Sequence, residues 1–134
     1  MQKVTAAVIE RDGTVLIGRR KKTDRFGGVW EFPGGKIRAD ETHRRALIRE
    51  IQEELGVSVR VGECIATVNH AYSHFRVTLN VYRCEHVGGS PQPKSHTALK
   101  WVRPQDFHRF AFPKANHKFL EALGNKPAQN RPES

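Results

Sequence analysis

The first apolar positions of the chain fall into two short runs that predict β-strands. These runs cover Val4–Ile9 and Thr14–Ile17, and Asp12-Gly13 lies between them. An Asp-Gly pair between two strand-like runs is typical of a tight hairpin turn, so the two strands are expected to pair antiparallel. A third short strand is predicted at Val29–Phe32, before a sharp turn at Pro33-Gly34-Gly35.

Helical spacing replaces this strand pattern in the next segment. Leucine and isoleucine recur three or four residues apart between Asp40 and Leu55, which predicts an amphipathic helix. Asp40 is expected to cap its start, and Gly56 is expected to end it in the left-handed conformation. The expected packing face consists of four apolar residues, Leu47, Ile48, Ile51 and Leu55.

The second half of the chain predicts further strands and one last helix. The elements expected there are strands over Val57–Val68, with a break at Gly62, over His74–Cys84 and over Ala98–Val102, and a helix over Lys114–Leu123 that ends at Gly124. Residues 125–134 contain two prolines and no large apolar side chain, so a disordered tail is expected after a domain of residues 1–124. Because strands and helices mix without regular strand–helix–strand alternation, the expected fold class is α+β, a sandwich around a mixed sheet.

Composition and charge narrow the classes of partner. The 134 residues are 37% hydrophobic, which fits a single domain that carries the whole function. With 23 Lys and Arg against 14 Asp and Glu, the net charge of +9 favours anionic partners such as nucleotides or nucleic acid.

No apolar run approaches the roughly 18 residues of a membrane span and no signal peptide is evident, so a cytoplasmic protein without membrane contact is expected. The two cysteines have neither disulfide-scaffold nor zinc spacing. A monomer and a homodimer both remain open.

Three glutamates lie along one edge of the predicted helix. At 100° per residue, Glu50, Glu53 and Glu54 share an arc of about 100° that lies directly beside the apolar face. Like charges at this spacing cost a helix roughly 0.2 to 0.5 kcal/mol per pair, so a cation between them is expected. Oxygen ligands without a paired His or Cys favour Mg²⁺, with Mn²⁺ as the alternative, over zinc. The competing interpretation is a solvated acidic face that Arg49 partly neutralises.

The spacing around these glutamates is that of a known signature. Nine specified positions over 23 residues are filled, by Gly35, Glu41, Arg49-Glu50-Ile51, Glu53-Glu54 and Gly56-Val57. The pattern resembles the signature of the Nudix hydrolase family, and the resemblance extends from Val4 to roughly Leu123. It implies an α/β/α sandwich with a loop–helix–loop catalytic motif, and hydrolysis of a nucleoside diphosphate linked to another group.

The resemblance also implies roles for residues of the motif. Glu50, Glu53 and Glu54, with the backbone carbonyl of Gly34, are the implied metal ligands, and a glycine leaves that approach free of side chains. Lys36 is expected to meet phosphate oxygens, with an ordinary exposed lysine as the alternative.

Four further positions are expected to support these ligands. Glu41 and Arg49 resemble the supporting pair of the family, in which the arginine orients a neighbouring carboxylate, and plain surface charges are the alternative. Gly35 and Gly56 are expected to serve the structure of the motif.

The general base is expected to come from the same helix. Glu50 is the first choice and Glu53 the second, because the glutamate that many relatives carry before the last strand is replaced here by Lys94-Ser95-His96. His96 is a further candidate, although a loop histidine is more often incidental.

The choice of nucleotide depends on residues outside the motif. The run Trp30–Lys36 resembles the MutT-like branch, which hydrolyses oxidised purine triphosphates such as 8-oxo-dGTP to monophosphate and pyrophosphate. Phe32 is a candidate for stacking on the base, with core packing as the alternative. Asn116 is a candidate for reading the purine edge, with helix capping as the alternative. Arg20 is the candidate for contacting the nucleotide, with a solvated strand-end charge as the alternative.

Two other functions remain open. A CTP or dCTP pyrophosphohydrolase is the nearest rival, because such relatives share the Trp-Glu-Phe and Gly-Gly-Lys neighbourhood. The segment His70–Arg76 resembles the C-terminal domain of adenine DNA glycosylases, a Nudix-fold module that recognises oxidised guanine in DNA without hydrolysis. The complete signature favours an enzyme, so nucleic-acid binding is the less expected outcome.

Overall fold

One mixed β-sheet organises the chain in the computed structural model, which describes residues 2–129. Its strands are β1 (Gln2–Arg11), β2 (Thr14–Arg20), β3 (Trp30–Glu31), β4 (Gly34–Lys36), β5 (Ser58–Ala71), β6 (Arg76–Gly88) and β7 (His96–Val102). The order β3-β2-β1-β6-β5 forms the main path, while β4 pairs with β1 and β7 pairs with β2. Strands β1 and β6 are parallel, and the other pairings within residues 2–129 are antiparallel.

Helices cover both faces of this sheet. They are α1 (His43–Leu55), α2 (Lys114–Gln129) and a 3-10 helix (Pro104–Arg109). Successive residues of β1 point to opposite faces, so Ala7 and Ile9 pack with α1, while Ala6 and Val8 pack with the aromatic side chains of the other layer. Burial on both faces explains why the four consecutive residues Ala6–Ile9 of β1 are all apolar. The expected α+β class and α/β/α sandwich are confirmed.

The first hairpin has the expected turn. Asp12 and Gly13 have φ angles of 51° and 77°, the two left-handed residues that a tight two-residue turn between β1 and β2 needs. The break predicted at Gly62 is also present, as register shifts in the pairing of β5 with β6 between Val61 and Ala66.

Helix α1 begins later than predicted, and its buried face lies closer to its glutamates than predicted. Thr42 is its N-cap, with a side chain that accepts a hydrogen bond from the backbone N–H of Arg45, so the expected cap at Asp40 is wrong. Hydrophobic spacing does not fix the first turn, and threonine caps a helix as aspartate does. Gly56 ends the helix at a φ of 69°, as expected. Ile48 is 43% exposed, so its place on the packing face is wrong.

The buried stripe of α1 includes Ala46 instead. Ala46 precedes Glu50 by four residues and therefore lies on the same side of the helix as the acidic edge. This rotation moves the glutamates toward the sheet and turns Ile48 away from it.

Two other boundaries differ from expectation. Gly34 and Gly35, predicted to turn with Pro33, instead belong to β4, in which Gly35 faces Thr5 of β1. Helix α2 continues to Gln129, so its expected end at Gly124 is wrong, because a glycine weakens a helix without ending it unless it turns left-handed.

Residues 130–134 of the expected tail lie outside the described residues, and the domain boundary at residue 124 stays a prediction. In the described part of the chain, no helix is long and apolar enough to cross a membrane.

Candidate active site

A cavity of about 350 Å³ opens where β4, the N-terminus of α2 and the β5–β6 hairpin meet. The residues predicted to contact substrate line this cavity, namely Arg20, Phe32, Lys36 and Asn116, together with Gly34 and Gly35. The structure therefore brings to one place residues that are up to 96 positions apart in the chain. The acidic edge of α1 lies beside the same cavity, against β4.

For two carboxylates of the acidic edge, the ionised form is unfavourable. Glu54 accepts a hydrogen bond of 3.2 Å from the backbone N–H of Gly34. Burial, followed by the negative charge of Glu31, raises the pKa of Glu54 to about 8. Burial also raises the pKa of Glu50, and the neighbouring Glu53 adds to that shift. Negative charge is thus concentrated where it is poorly compensated, and a cation is the natural partner for it.

The two glycines of β4 let the backbone approach its neighbours. A Cβ atom at Gly34 would overlap the carbonyl oxygen of Thr5, and a Cβ atom at Gly35 would overlap the carboxylate of Glu50. The expected structural role of Gly35 therefore has a specific cause, the space needed by that carboxylate. Thr5 is fully buried, and its hydroxyl donates to the carbonyl oxygen of Gly35 at 3.3 Å.

Arg49 joins most of the acidic groups. Its guanidinium makes two hydrogen bonds with Glu41, of 2.6 and 2.8 Å, and reaches Glu50 at 2.8 Å and Glu53 at 3.4 Å. It also donates to the backbone carbonyl of Lys36 at 3.2 Å. The guanidinium holds the pKa of Glu41 at about 2, and the paired carboxylate of Glu41 raises the pKa of Arg49. These contacts are those of a group that fixes the neighbouring carboxylates in place.

The donor set of this edge fits a hard divalent cation. Within residues 2–129, no three His, Cys, Asp or Glu side chains stand in a metal-binding arrangement, and Arg49 bonds to both Glu50 and Glu53. All the acidic donors are nevertheless carboxylate oxygens, which Mg²⁺ and Mn²⁺ prefer. Burial raises the pKa of Glu54, so its ionised form would gain from a nearby cation. Glu53 has a side chain that is 54% exposed, which leaves its carboxylate accessible to a ligand.

Two hydrogen bonds fix Arg20 at the cavity, and His96 supports one of them from behind. Its Nη1 donates to Oε1 of Glu31 at 2.6 Å, and its Nε donates to the backbone carbonyl of Arg25 at 2.7 Å. The other oxygen of Glu31 lies 2.8 Å from Nε2 of His96. His96, the further candidate for the base, is thus buried behind Glu31, and its side chain is 1% exposed.

The two candidate base-reading residues have different surroundings. Asn116 lies in the first turn of α2, which begins at Lys114, so the capping alternative is wrong. Its Nδ2 donates to the carbonyl oxygen of Pro113 at 3.3 Å. Phe32 is 4% exposed and stacks on Phe112 at a ring distance of 5.3 Å, so it is a core residue whose contact with a base stays a prediction.

Sequence reasoning missed an aromatic cluster, Phe26, Tyr72 and Phe75, at the wall of the cavity. The ring of Tyr72 lies 4.9 Å from each of the other two rings, and its hydroxyl accepts a hydrogen bond from the backbone N–H of Ala115. The guanidinium of Arg25 lies 4.2 Å above the ring of Phe75. The closely spaced Tyr72 and Phe75 were the available signal, but nothing local indicates that Phe26 joins them from 46 residues away.

Comparisons with known proteins agree with this geometry. Residues 4–122 match the family profile described as NUDIX domain. A CTP pyrophosphohydrolase of Escherichia coli (strain K12) is 38% identical over 123 residues, which cover 92% of this chain and 91% of that protein. A putative 8-oxo-dGTP diphosphatase 2 of Mycobacterium tuberculosis (strain ATCC 25618 / H37Rv) is 41% identical over 114 residues, which cover 80% of this chain and 77% of that protein.

Solved structures share the fold over nearly the whole chain. The solution structure of the E. coli ORF135 protein matches with a TM-score of 0.83 at 35% identity, covering 98% of this chain and 94% of that one. The crystal structure of the MutT protein from Methanosarcina mazei Go1 matches with a TM-score of 0.82 at 25% identity, covering 94% of each chain.

Proposed function

The chain belongs to the Nudix hydrolase family, and we propose that it hydrolyses a nucleoside triphosphate to a monophosphate and pyrophosphate, with 8-oxo-dGTP as the preferred substrate. Members of this family act on nucleotides and generally use a divalent metal ion. One observation carries the proposal: the acidic edge of α1 lies beside a nucleoside-sized cavity that Arg20, Lys36 and Asn116 line.

We assign the metal ligands to Glu50, Glu53 and Glu54, with the backbone carbonyl of Gly34, and the metal to Mg²⁺, with Mn²⁺ as the alternative. The raised pKa of Glu54 supports this assignment, because a carboxylate buried beside other carboxylates gains from a cation. When bound, the ion supplies charge neutralisation for phosphate oxygens and a site for the attacking water.

Glu50 is the residue to which we assign the general base. Its Oε1 is held by Nη1 of Arg49, which leaves Oε2 as the oxygen that accepts a proton from water. Arg49 and Glu41 position this carboxylate through their paired hydrogen bonds. Glu53 is the second choice for the base.

Two cationic side chains serve the triphosphate in this proposal. Lys36 is exposed on β4 and lines the cavity, so its ammonium group can donate a hydrogen bond to a phosphate oxygen. Arg20 lines the cavity from β2, with a guanidinium that Glu31 and Arg25 already orient. The charge of both groups offsets that of the phosphates during hydrolysis.

The base is expected to lie against the aromatic cluster and Asn116. An aromatic wall favours the flat face of a nucleobase, and a carboxamide offers both a donor and an acceptor to its edge. Oxidation of guanine at C8 adds a carbonyl and turns N7 into a donor, so a site that pairs with that edge can discriminate against dGTP. The Mycobacterium tuberculosis relative that bears the name putative 8-oxo-dGTP diphosphatase 2 supports this choice.

A CTP or dCTP pyrophosphohydrolase is the second candidate. The relative from Escherichia coli that bears the name CTP pyrophosphohydrolase supports it, since it aligns with 92% of this chain. The cavity wall of stacked rings accepts a pyrimidine as readily as a purine.

A panel of nucleotides tests the proposal. The purified protein with Mg²⁺ is offered 8-oxo-dGTP, dGTP, dCTP and CTP, and release of pyrophosphate is measured against release of phosphate. We expect the highest kcat/KM with 8-oxo-dGTP and pyrophosphate as product. Preference for CTP or dCTP supports the second candidate. Absence of turnover, with metal-independent binding of duplex DNA that contains oxidised guanine, would overturn both.

A further inference from the structure

We propose that His96 is a positioning residue: it orients Glu31, which in turn aims the guanidinium of Arg20 into the cavity. This inference rests on the proposed function, because it concerns how the cationic wall of that cavity meets an anionic substrate. None of the motif residues of α1 takes part in it.

The imidazole of His96 occupies a slot that β2 leaves open for it. A Cβ atom at Gly18 would lie 2.6 Å from Cδ2 of the ring, so any larger residue at position 18 would displace the histidine. The side chain of His96 is 1% exposed, and its position is therefore fixed by packing rather than by solvent. A glycine in a strand often marks such a close approach.

The polarity of this buried ring points to a role beyond packing. Oε2 of Glu31 can only accept while that carboxylate is ionised, so Nε2 of His96 carries the hydrogen and donates it across 2.8 Å. Nδ1 is buried and has no hydrogen-bond partner in the part of the chain that the structure describes. A buried polar atom without a partner costs stability, which an apolar side chain in the slot would avoid. The contact with Glu31 is the feature that an apolar residue could not replace.

Glu31 transmits this orientation to Arg20. Its two oxygens are divided between the two partners, Oε1 at 2.6 Å from Nη1 of Arg20 and Oε2 at 2.8 Å from His96. Nε of Arg20 is held separately by the carbonyl oxygen of Arg25. For Nη2 of Arg20, the structure gives no hydrogen bond within residues 2–129, and the side chain lines the cavity.

The consequence is a guanidinium that is oriented before substrate arrives. A free arginine side chain loses rotamer freedom when it binds, and a group fixed from behind has lost that freedom already. Loss of His96 should therefore weaken binding more than it slows the chemical step.

Steady-state kinetics of His96 variants test the first consequence. His96→Ala is expected to raise KM for the preferred triphosphate roughly tenfold with little change in kcat. His96→Gln should restore most of the affinity, because a carboxamide N–H can donate where Nε2 does. In an Arg20→Ala background, His96→Ala should have no further effect on KM. Val102→Ala is the matched control, a buried truncation on the same strand that should lower Tm and leave KM unchanged.

An NMR measurement makes the inference independent of turnover. The Nη1–H signal of Arg20, which donates to Glu31 and is assigned by its loss in Arg20→Lys, should exchange slowly with solvent in the native protein, faster in His96→Ala, and slowly again in His96→Gln. Unchanged exchange in His96→Ala, or a KM effect that persists without Arg20, would overturn the inference. A native protein that hydrolyses no triphosphate would instead refute the proposed function, and the exchange measurement would still decide the role of His96.

Discussion

Gly35 and Glu50 share one space: a Cβ atom on Gly35 would overlap Oε2 of Glu50. We expect Gly35→Ala to displace the carboxylate and lower kcat about 10²-fold, because a shift of about 1 Å at a reacting group has effects of that size. The measurement is kcat with saturating Mg²⁺ and substrate. Gly88→Ala is the control, since nothing lies within 4 Å of a Cβ there. Equal activity of the two variants would contradict the account of β4.

Glu50 is predicted to be essential for turnover. Glu50→Gln keeps the size of the side chain but removes the proton acceptor and a charged ligand, so kcat should fall at least about 10³-fold. Glu63→Gln is the control, because the side chain of Glu63 is 70% exposed and lies outside the cavity. Near-normal turnover in Glu50→Gln would remove Glu50 from the mechanism.

Glu54 links stability to pH in the metal-free protein. Its pKa is raised to about 8 from an ordinary value of 4.5, so the folded state holds the proton more tightly than the unfolded state does. The contribution of the protonated carboxyl to the free energy of unfolding is present below pH 4.5 and is lost as pH rises toward 8.

Glu54→Gln should remove that loss. In EDTA at pH 9 we expect this variant to melt at least about 2 °C above the native protein, with a smaller difference at pH 5. Added Mg²⁺ should raise the Tm of the native protein and leave that of the variant nearly unchanged. A native protein that is as stable as the variant at pH 9 in EDTA would show that the charge of Glu54 is well compensated without metal.

Asn116 is predicted to set the choice of base. Asn116→Ala should reduce the preference for 8-oxo-dGTP over dGTP, measured as a ratio of kcat/KM, at least about tenfold, because a hydrogen bond to the altered edge is lost. Asn69→Ala is the control, since Asn69 bonds to Thr78 on the hairpin and does not line the cavity. An unchanged ratio in Asn116→Ala would exclude Asn116 from base recognition.

Local spacing predicted the parts of the fold that local chemistry determines. The Asp12-Gly13 turn, the left-handed exit at Gly56 and the acidic edge of α1 each depend on residues that lie close together in the sequence. The predicted cap of α1 was Asp40, whereas Thr42 is the cap, since either residue type can cap the start of a helix and periodicity does not choose between them.

Contacts between distant segments could not be predicted in the same way. Strand β4 forms because Gly35 pairs with Thr5 of β1. Its three residues include two glycines and carry no strand signal of their own. The burial of His96 behind Glu31 depends on the space above Gly18, 78 residues earlier in the chain. The aromatic cluster likewise depends on how the loop with Phe26 folds back on the β5–β6 hairpin.

The most direct test of the account is anomalous diffraction from crystals grown with Mn²⁺ and a non-hydrolysable 8-oxo-dGTP analogue. We expect an anomalous peak within bonding distance of carboxylate oxygens of Glu50, Glu53 and Glu54, with the phosphates of the analogue on the other side of the ion. Bound analogue without metal density at this edge, and with Arg49 still bridging Glu50 and Glu53, would contradict the central claim.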